Sequence, residues 1–247
     1  MTEDYVPLDA DGALALAVDG CRALAAAGQA DMVWGHPSVR DPGGRGVWMK
    51  ASGWGFEEVD ASRIVLVSPA GEVLPGPGPR HIEYPIHTEI MAARPDVGAV
   101  VHTHSPAACQ FAALDVPLRP LDHAGSLFCY PDIPRFTLTG GLIKNQSLGQ
   151  ALATALGDAV AILLPQHGIV TAGPDLPAAI MAAVLLDRAC RTQLTAMAAG
   201  RCLCGARQRT QWPNARTSGR RGNSGRATST SSARPERIPS PLRHGAT

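Results

Sequence analysis

The links between apolar runs constrain this chain more than any other feature. Short β-branched runs recur at residues 47–50, 64–68, 97–101, 159–164 and 169–171. Runs of that length and composition, bounded by turn residues, read as strands. Counting weaker runs around Val33 and Val39, several are joined by fewer residues than the dozen or more that a parallel crossover needs, so the sheet is expected to be largely antiparallel. Helix-forming stretches alternate with the runs: 14–27, Ala/Leu-rich and stopped by Gly28; 106–113, after the candidate N-cap Ser105; 148–156; and a long one from the cap Asp175 to about Ala199. Weaker stretches around Val33 and Val39, and at 116–119 and 133–138, are read as further short strands. The expected fold class is α/β: a three-layer α/β/α domain with a central, largely antiparallel sheet covered by helices.

The run 97–101 follows Arg94-Pro95-Asp96 and delivers His102-Thr103-His104. Residues two apart on a strand share a face, so two imidazoles stand side by side at its end. An H-x-H alone reads equally well as one surface and one core histidine. Its company changes that: Glu83 lies upstream, and a second apolar run ends in Gln166-His167-Gly168. Three neutral imidazoles on strand ends make a compact set for Zn²⁺ or a similar divalent ion, with positions left open for substrate. Glu83 starts the helical stretch before the H-x-H strand; there it is a ligand at rest, or a general acid/base once displaced. His87, at i+4 on the same helix face, is read as a histidine satisfied by a neighbour. Ala51-Ser52-Gly53 makes a small-residue loop whose N–H groups can hold an anion, although an ordinary hairpin reads as well. A cupin also offers H-x-H, with a glutamate shortly after; residues 106–111 contain no acid.

Composition narrows the class. A net charge of +1 gives no reason to expect a nucleic acid or an anionic membrane as partner. No apolar run approaches membrane-spanning length, and the N-terminus has no basic segment followed by an apolar one, so neither insertion nor secretion is expected. Cysteines 21, 109, 129, 190, 202 and 204 lack zinc spacing and read as reduced cytoplasmic thiols. The near-neutral total hides an asymmetry. Residues 201–247 hold ten arginines, no lysine and one acid, Glu236, so the tail carries +9 and residues 1–200 carry −8. The expected division is a catalytic domain over 1–200 and an Arg/Ser/Gly-rich tail over 201–247. The tail has no apolar periodicity and is expected to be disordered; it reads as a GC-rich frame translated out of register, with the break near Gly200.

In order, the runs G-H-P-S-V-R, M-K-A-S-G, I-E-Y-P-I-H, A-A-R-P-D-V-G-A-V-V-H-T-H-S and L-L-P-Q-H-G-I-V-T-A-G resemble the class II aldolase/adducin family over roughly residues 14–200. The resemblance implies one divalent metal ion per chain, Zn²⁺ or Mn²⁺ with Co²⁺ or Fe²⁺ as alternatives, held by His102, His104 and His167. It makes Glu83 the acid/base or fourth ligand. It also implies a homotetramer with sites at subunit interfaces and a small-molecule substrate.

Departures from the sugar-phosphate members of that family sharpen the expectation. Those enzymes usually carry Gly-Asn where this chain has Gly35-His36, and Ser-Ser where it has His81-Ile82. Isoleucine offers no donor to a phosphate. Epimerase members have an aspartate at the Glu83 position and a further acid where this chain has His123-Ala124-Gly125. The W-G-H, W-M-K-A-S-G-W-G-F and H-I-E-Y-P-I-H-T-E-I runs look more like the aromatic-acid decarboxylase branch. That likeness implies a lyase acting on hydroxylated aromatic dicarboxylates such as 3,4-dihydroxyphthalate. Trp54 and Phe56 would stack on the ring, and Arg80, His81 or His36 would bind the spare carboxylate. Two alternatives stay open: an aldolase cleaving a small hydroxylated aldehyde or sugar phosphate, and an adducin-like structural module without the metal site.

Overall fold

The computed structural model describes residues 9–74 and 78–200; the tail from 201 to 247, and what was expected of it, lie outside the described residues. Six strands form one sheet: β1 (His36–Arg40), β2 (Val47–Lys50), β3 (Ile64–Val67), β4 (Ala99–Thr103), β5 (Ala161–Leu164) and β6 (Gly168–Gly173). Their order is β3-β2-β1-β4-β6-β5, and every neighbouring pair is antiparallel. The short links dictated this: Gly44 and Gly46 turn β1 into β2 with positive φ, and three residues separate β5 from β6.

Side-chain alternation then divides the sheet into two apolar faces. Val39, Trp48, Leu66, Val101, Leu163 and Ile169 join one cluster with α1 (Ala10–Ala26), α3 (Pro106–Ala112) and α5 (Leu176–Ala198). Met49, Val65, Val100, Ile162 and Val170 join the other, with α2 (Tyr84–Ala93) and α4 (Gln146–Leu156). The sheet is thus covered by helices on both sides, as the α/β/α expectation required.

Local chemistry sets most element ends. Asp9 Oδ1 accepts the Gly12 N–H at 2.7 Å, so α1 starts four residues before the expected 14. Asp175 Oδ1 accepts from Ala178 N at 2.8 Å and starts α5 as expected. Ser105 stands at the N-cap of α3, but its hydroxyl makes no cap bond; Pro106 follows it and brings no N–H.

Three expected strands do not form. Near Val33 there is only a tight turn closed by Trp34 N donating to Asp31 O at 2.9 Å. Residues 116–119 hold no strand either, and 133–138 keep only an isolated parallel bridge, Arg135 to Leu163 of β5. Pro117, Pro120 and Pro134 remove ladder donors, while Leu118 N and Arg119 N donate to Asp132 Oδ1 and Gln193 Oε1 instead of a neighbouring strand.

Candidate metal centre

The sheet order brings together strands that are far apart in sequence. β4 lies between β1 and β6, with His36 opposite His102 and Val170 opposite His102 on the other side. His102 shares its face with Val100, towards α2, and His104 projects just past the strand end. His167 sits in the turn before β6, whose preceding residue Gln166 has a φ of 65°. Ligand atoms of His102, His104 and His167 all lie within 4.8 Å of one another.

Hydrogen bonds fix two of these rings. His102 Nδ1 is 2.9 Å from the Ile169 carbonyl, and His104 Nδ1 is 3.1 Å from Asp31 Oδ2. Both partners can only accept, so each Nδ1 carries the proton and each Nε2 presents a bare lone pair. Yet the two Nε2 atoms are only 3.0 Å apart, which places two lone pairs against each other. His167 adds Nδ1 and Nε2, both buried without a hydrogen-bond partner. Converging lone pairs and orphaned imidazole nitrogens fit a divalent cation, and the all-imidazole set suits Zn²⁺ or a similar ion. Burial also holds His102 far below the usual histidine range, which keeps it neutral as a ligand must be. Gly168 makes the approach possible: a Cβ there would meet the Thr103 carbonyl oxygen at 2.5 Å and His104 Cδ2 at 2.7 Å.

Glu83 caps α2 without a side-chain cap bond, which leaves its carboxylate for the site. Oε1 is 3.4 Å from His167 Nε2 and accepts the Ile143 N–H at 2.7 Å; Oε2 is 3.8 Å from His102 Nε2. Burial alone would raise its pKa, but the adjoining His167 ring and the Ile143 N–H outweigh burial and hold it down at about 2. The resting group is therefore a carboxylate beside the three imidazoles.

These residues open onto a cleft of about 650 Å³. His36, Ser52, Gly53, Arg80, His81, Glu83, His104 and His167 line it, as do Trp34, Ile82, Leu142 and Gln166. Trp54 does not line it. Its ring lies under the Arg63 guanidinium at 3.8 Å and packs on the α2 side of the sheet. Phe56 is fully buried in the opposite cluster. The aromatic at the cleft mouth is Trp34, half exposed and edge-on to His104 at 6.5 Å.

The small-residue loop is also less free than expected: Ala51 N donates to Arg63 O and Ser52 N to Pro79 O, both at 2.8 Å. Two of its three N–H groups are thus spent on backbone. Arg80 stacks on Tyr84 at 4.2 Å and donates to Gly71 O through Nε, so its side chain is held rather than loose at the rim. His81 stacks 4.3 Å from His36; burial, then the nearby positive Lys50, lowers it to about 3.

Sequence reasoning missed Asp31, Trp34, Ser38 and the Ile143 N–H. Trp34 stood in a quoted run, but nothing local separates it from Trp54. Asp31 lies 73 residues from the histidine it orients.

Known proteins share this fold. The model of the Class II Aldolase and Adducin N-terminal domain matches residues 15–194. A 3,4-dihydroxyphthalate decarboxylase of Arthrobacter keyseri is 31% identical over 82% of this chain and 86% of its own. Among solved structures, an aldolase II superfamily protein from Pseudomonas syringae superposes with a TM-score of 0.73 at 28% identity, covering 82% of this chain and 83% of that one. An L-fuculose 1-phosphate aldolase from Glaciozyma antarctica PI12 gives 0.71 at 28%, covering 83% and 82%. The chain therefore belongs to the class II aldolase and adducin N-terminal domain family.

Proposed function

We propose that the chain is a carboxy-lyase removing CO₂ from a hydroxylated aromatic dicarboxylate such as 3,4-dihydroxyphthalate. One observation carries this reading. The cleft beside the three imidazoles is walled by flat or apolar side chains, Trp34, Ile82, Leu142 and the His36 and His81 rings, with Arg80 its single cationic lining residue among those described. Such a slot fits a planar ring bearing a carboxylate better than a hydrated sugar. The likeness to a 3,4-dihydroxyphthalate decarboxylase supports the same choice.

His102, His104 and His167 would hold the ion, and the Asp31 carboxylate and Ile169 carbonyl would keep two of those rings aimed. When bound, the ion supplies positive charge where electrons collect as CO₂ departs. Glu83 moves the proton: the ring carbon loses its bond to the carboxylate carbon and gains one to hydrogen, so one proton is taken up per CO₂ released. Glu83 collects it from the cleft and delivers it. Arg80 binds the carboxylate that stays. Trp34, Ile82 and Leu142 are exposed around the cleft mouth, which supports assembly as a homotetramer with sites between subunits.

The test is CO₂ release from 3,4-dihydroxyphthalate with Zn²⁺, Mn²⁺, Co²⁺ and Fe²⁺ in turn, beside aldehyde release from L-fuculose 1-phosphate. Aldehyde without CO₂ would replace this reading with the aldolase; neither product, with no metal bound, would leave the structural-module reading.

A further inference from the structure

Beside the three-histidine cluster lies a second set of buried polar groups, Ser38, His87 and His36, of which His36 also groups with Glu83 and His102 as potential ligands. Ser38 and His87 are fully buried and His36 is 2% exposed. Ser38 Oγ is 2.7 Å from His87 Nδ1 and 3.5 Å from the Val100 carbonyl oxygen. His87 Nε2 is 2.6 Å from His36 Nδ1. His36 lines the cleft, its Nε2 has no hydrogen-bond partner among the described residues, and a ring nitrogen of it lies within 4.8 Å of ligand atoms of Glu83 and His102. Register builds the chain of contacts: Ser38 pairs with Val100 and His36 with His102, and His87 descends on them from α2.

Each contact needs one donor and one acceptor. The Val100 carbonyl only accepts, so Ser38 O–H donates to it and must accept from His87 Nδ1–H. His87 Nε2 is then the acceptor, His36 Nδ1–H the donor, and His36 Nε2 a bare lone pair facing the cleft. The reverse direction makes Ser38 donate to His87 and leaves its bond to Val100 unmade. In a dry interior the arrangement with all three bonds wins. A lone pair pairs with a hydroxyl and gives a carboxylate nothing. Sequence had offered His36 as a carboxylate binder; its neighbours give it the opposite preference.

We propose that His36 reads a substrate hydroxyl, accepting its hydrogen bond at Nε2, and that Ser38 and His87 are positioning residues that fix the His36 tautomer. The inference rests on the decarboxylase reading only for the molecule that carries the hydroxyl. In that reading the ion is assigned to His102, His104 and His167 and the proton to Glu83, not to His36.

The experiment uses the full chain loaded with Zn²⁺ and labelled with ¹⁵N-histidine, with His36 identified by the signals lost in His36→Asn. Long-range ¹H–¹⁵N correlation should find Nδ1 protonated and Nε2 bare. Ser38→Ala and His87→Leu should lose that preference, and His87→Gln, whose amide both accepts and donates, should restore it. Calorimetry with two probes gives the second readout. Catechol, which has hydroxyls and no carboxylate, should bind about tenfold more weakly to His87→Leu. Phthalate, with carboxylates and no hydroxyl, should bind as before, and zinc content should not change. An Nε2-protonated His36 in the unmodified protein would overturn the proposal, as would equal weakening of both probes. Failure to release CO₂ from dihydroxyphthalate with the expected tautomer in place would instead sink the decarboxylase reading alone.

Discussion

Lys50 at the end of β2 is fully buried and, among the described residues, faces no carboxylate within ion-pair reach. Its Nζ donates to Val33 O at 2.8 Å and Trp54 O at 2.5 Å, pinning the two loops that begin and flank the cleft. Burial lowers its pKa from 10.5 to about 8, against smaller opposing effects from Cys21, Glu57 and Glu58. A depression of that size is worth about 3 kcal/mol between the two protonation states. Between pH 8 and 10.5 the unfolded lysine holds a proton that the folded one has released, so this group makes stability rise with pH across that window. The cysteines act the other way: burial pushes Cys21, Cys129 and Cys190 up to about 12, so ionisation above pH 9 favours the unfolded chain.

Comparison with Lys50→Met isolates the lysine, because most of the cysteine effect cancels in the difference. The variant strands two carbonyls, a cost independent of pH, and removes the titration. Urea unfolding of both proteins at intervals from pH 7 to 11 gives the stability difference at each point. Wild type should gain on Lys50→Met by up to about 3 kcal/mol between pH 8 and 10.5. A difference that stays flat over that range would mean Lys50 is charged and solvated in the folded protein, and the reasoning would fail.

The other predictions bear on the site. Replacing both His102 and His104 with Ala should reduce bound divalent metal from about one ion per chain to near zero by atomic emission, since one imidazole remains. Glu83→Gln should keep the metal and the melting temperature yet lower turnover ~10²–10⁴-fold, the usual worth of a general acid/base; unchanged kinetics would move that role elsewhere. Gly168→Ala should weaken metal binding about 10–100-fold in competition with a chelator, because the new Cβ meets His104 and the Thr103 carbonyl. Deleting residues 205–247 should leave the melting temperature and the number of chains per assembly unchanged within error, since the described residues by themselves form both apolar clusters. A large drop would show that the tail packs against them.

How much of this was legible follows from range. Strands 47–50, 64–68 and 159–164 announced themselves through β-branched runs, and the short turns that join β1 to β2 and β5 to β6 set the direction of those pairs. The His102–His104 pair follows from a period of two, and His167 from its place at the end of a second run. By contrast, Asp31 orients His104 across 73 residues and His87 meets His36 across 51. Those contacts depend on which strand lies beside which, and no local pattern carries that. Trp34 and Trp54 are the same residue in two glycine-flanked loops; only the burial of Trp54 under Arg63 separates core from cleft.

The sheet order explains why the site forms where it does. β1, β4 and β6 are neighbours although 58 residues lie between the end of β1 and the start of β4, and 64 between β4 and β6. Antiparallel pairing puts the start of β1, the end of β4 and the start of β6 at one edge, so His36, His102 and His167 arrive together from three separate segments. α2 then lies across that face, and two buried polar residues, its N-cap Glu83 and His87, are one helical turn apart. Glu83 reaches the His102–His167 side and His87 the His36 side. Under the proposed function a single turn of helix would thus serve two tasks, proton transfer at one residue and ring orientation at the other. A substitution that shifts α2 along its axis should damage both at once, whereas Glu83→Gln and His87→Leu should separate them: the first in turnover, the second in the discrimination between catechol and phthalate.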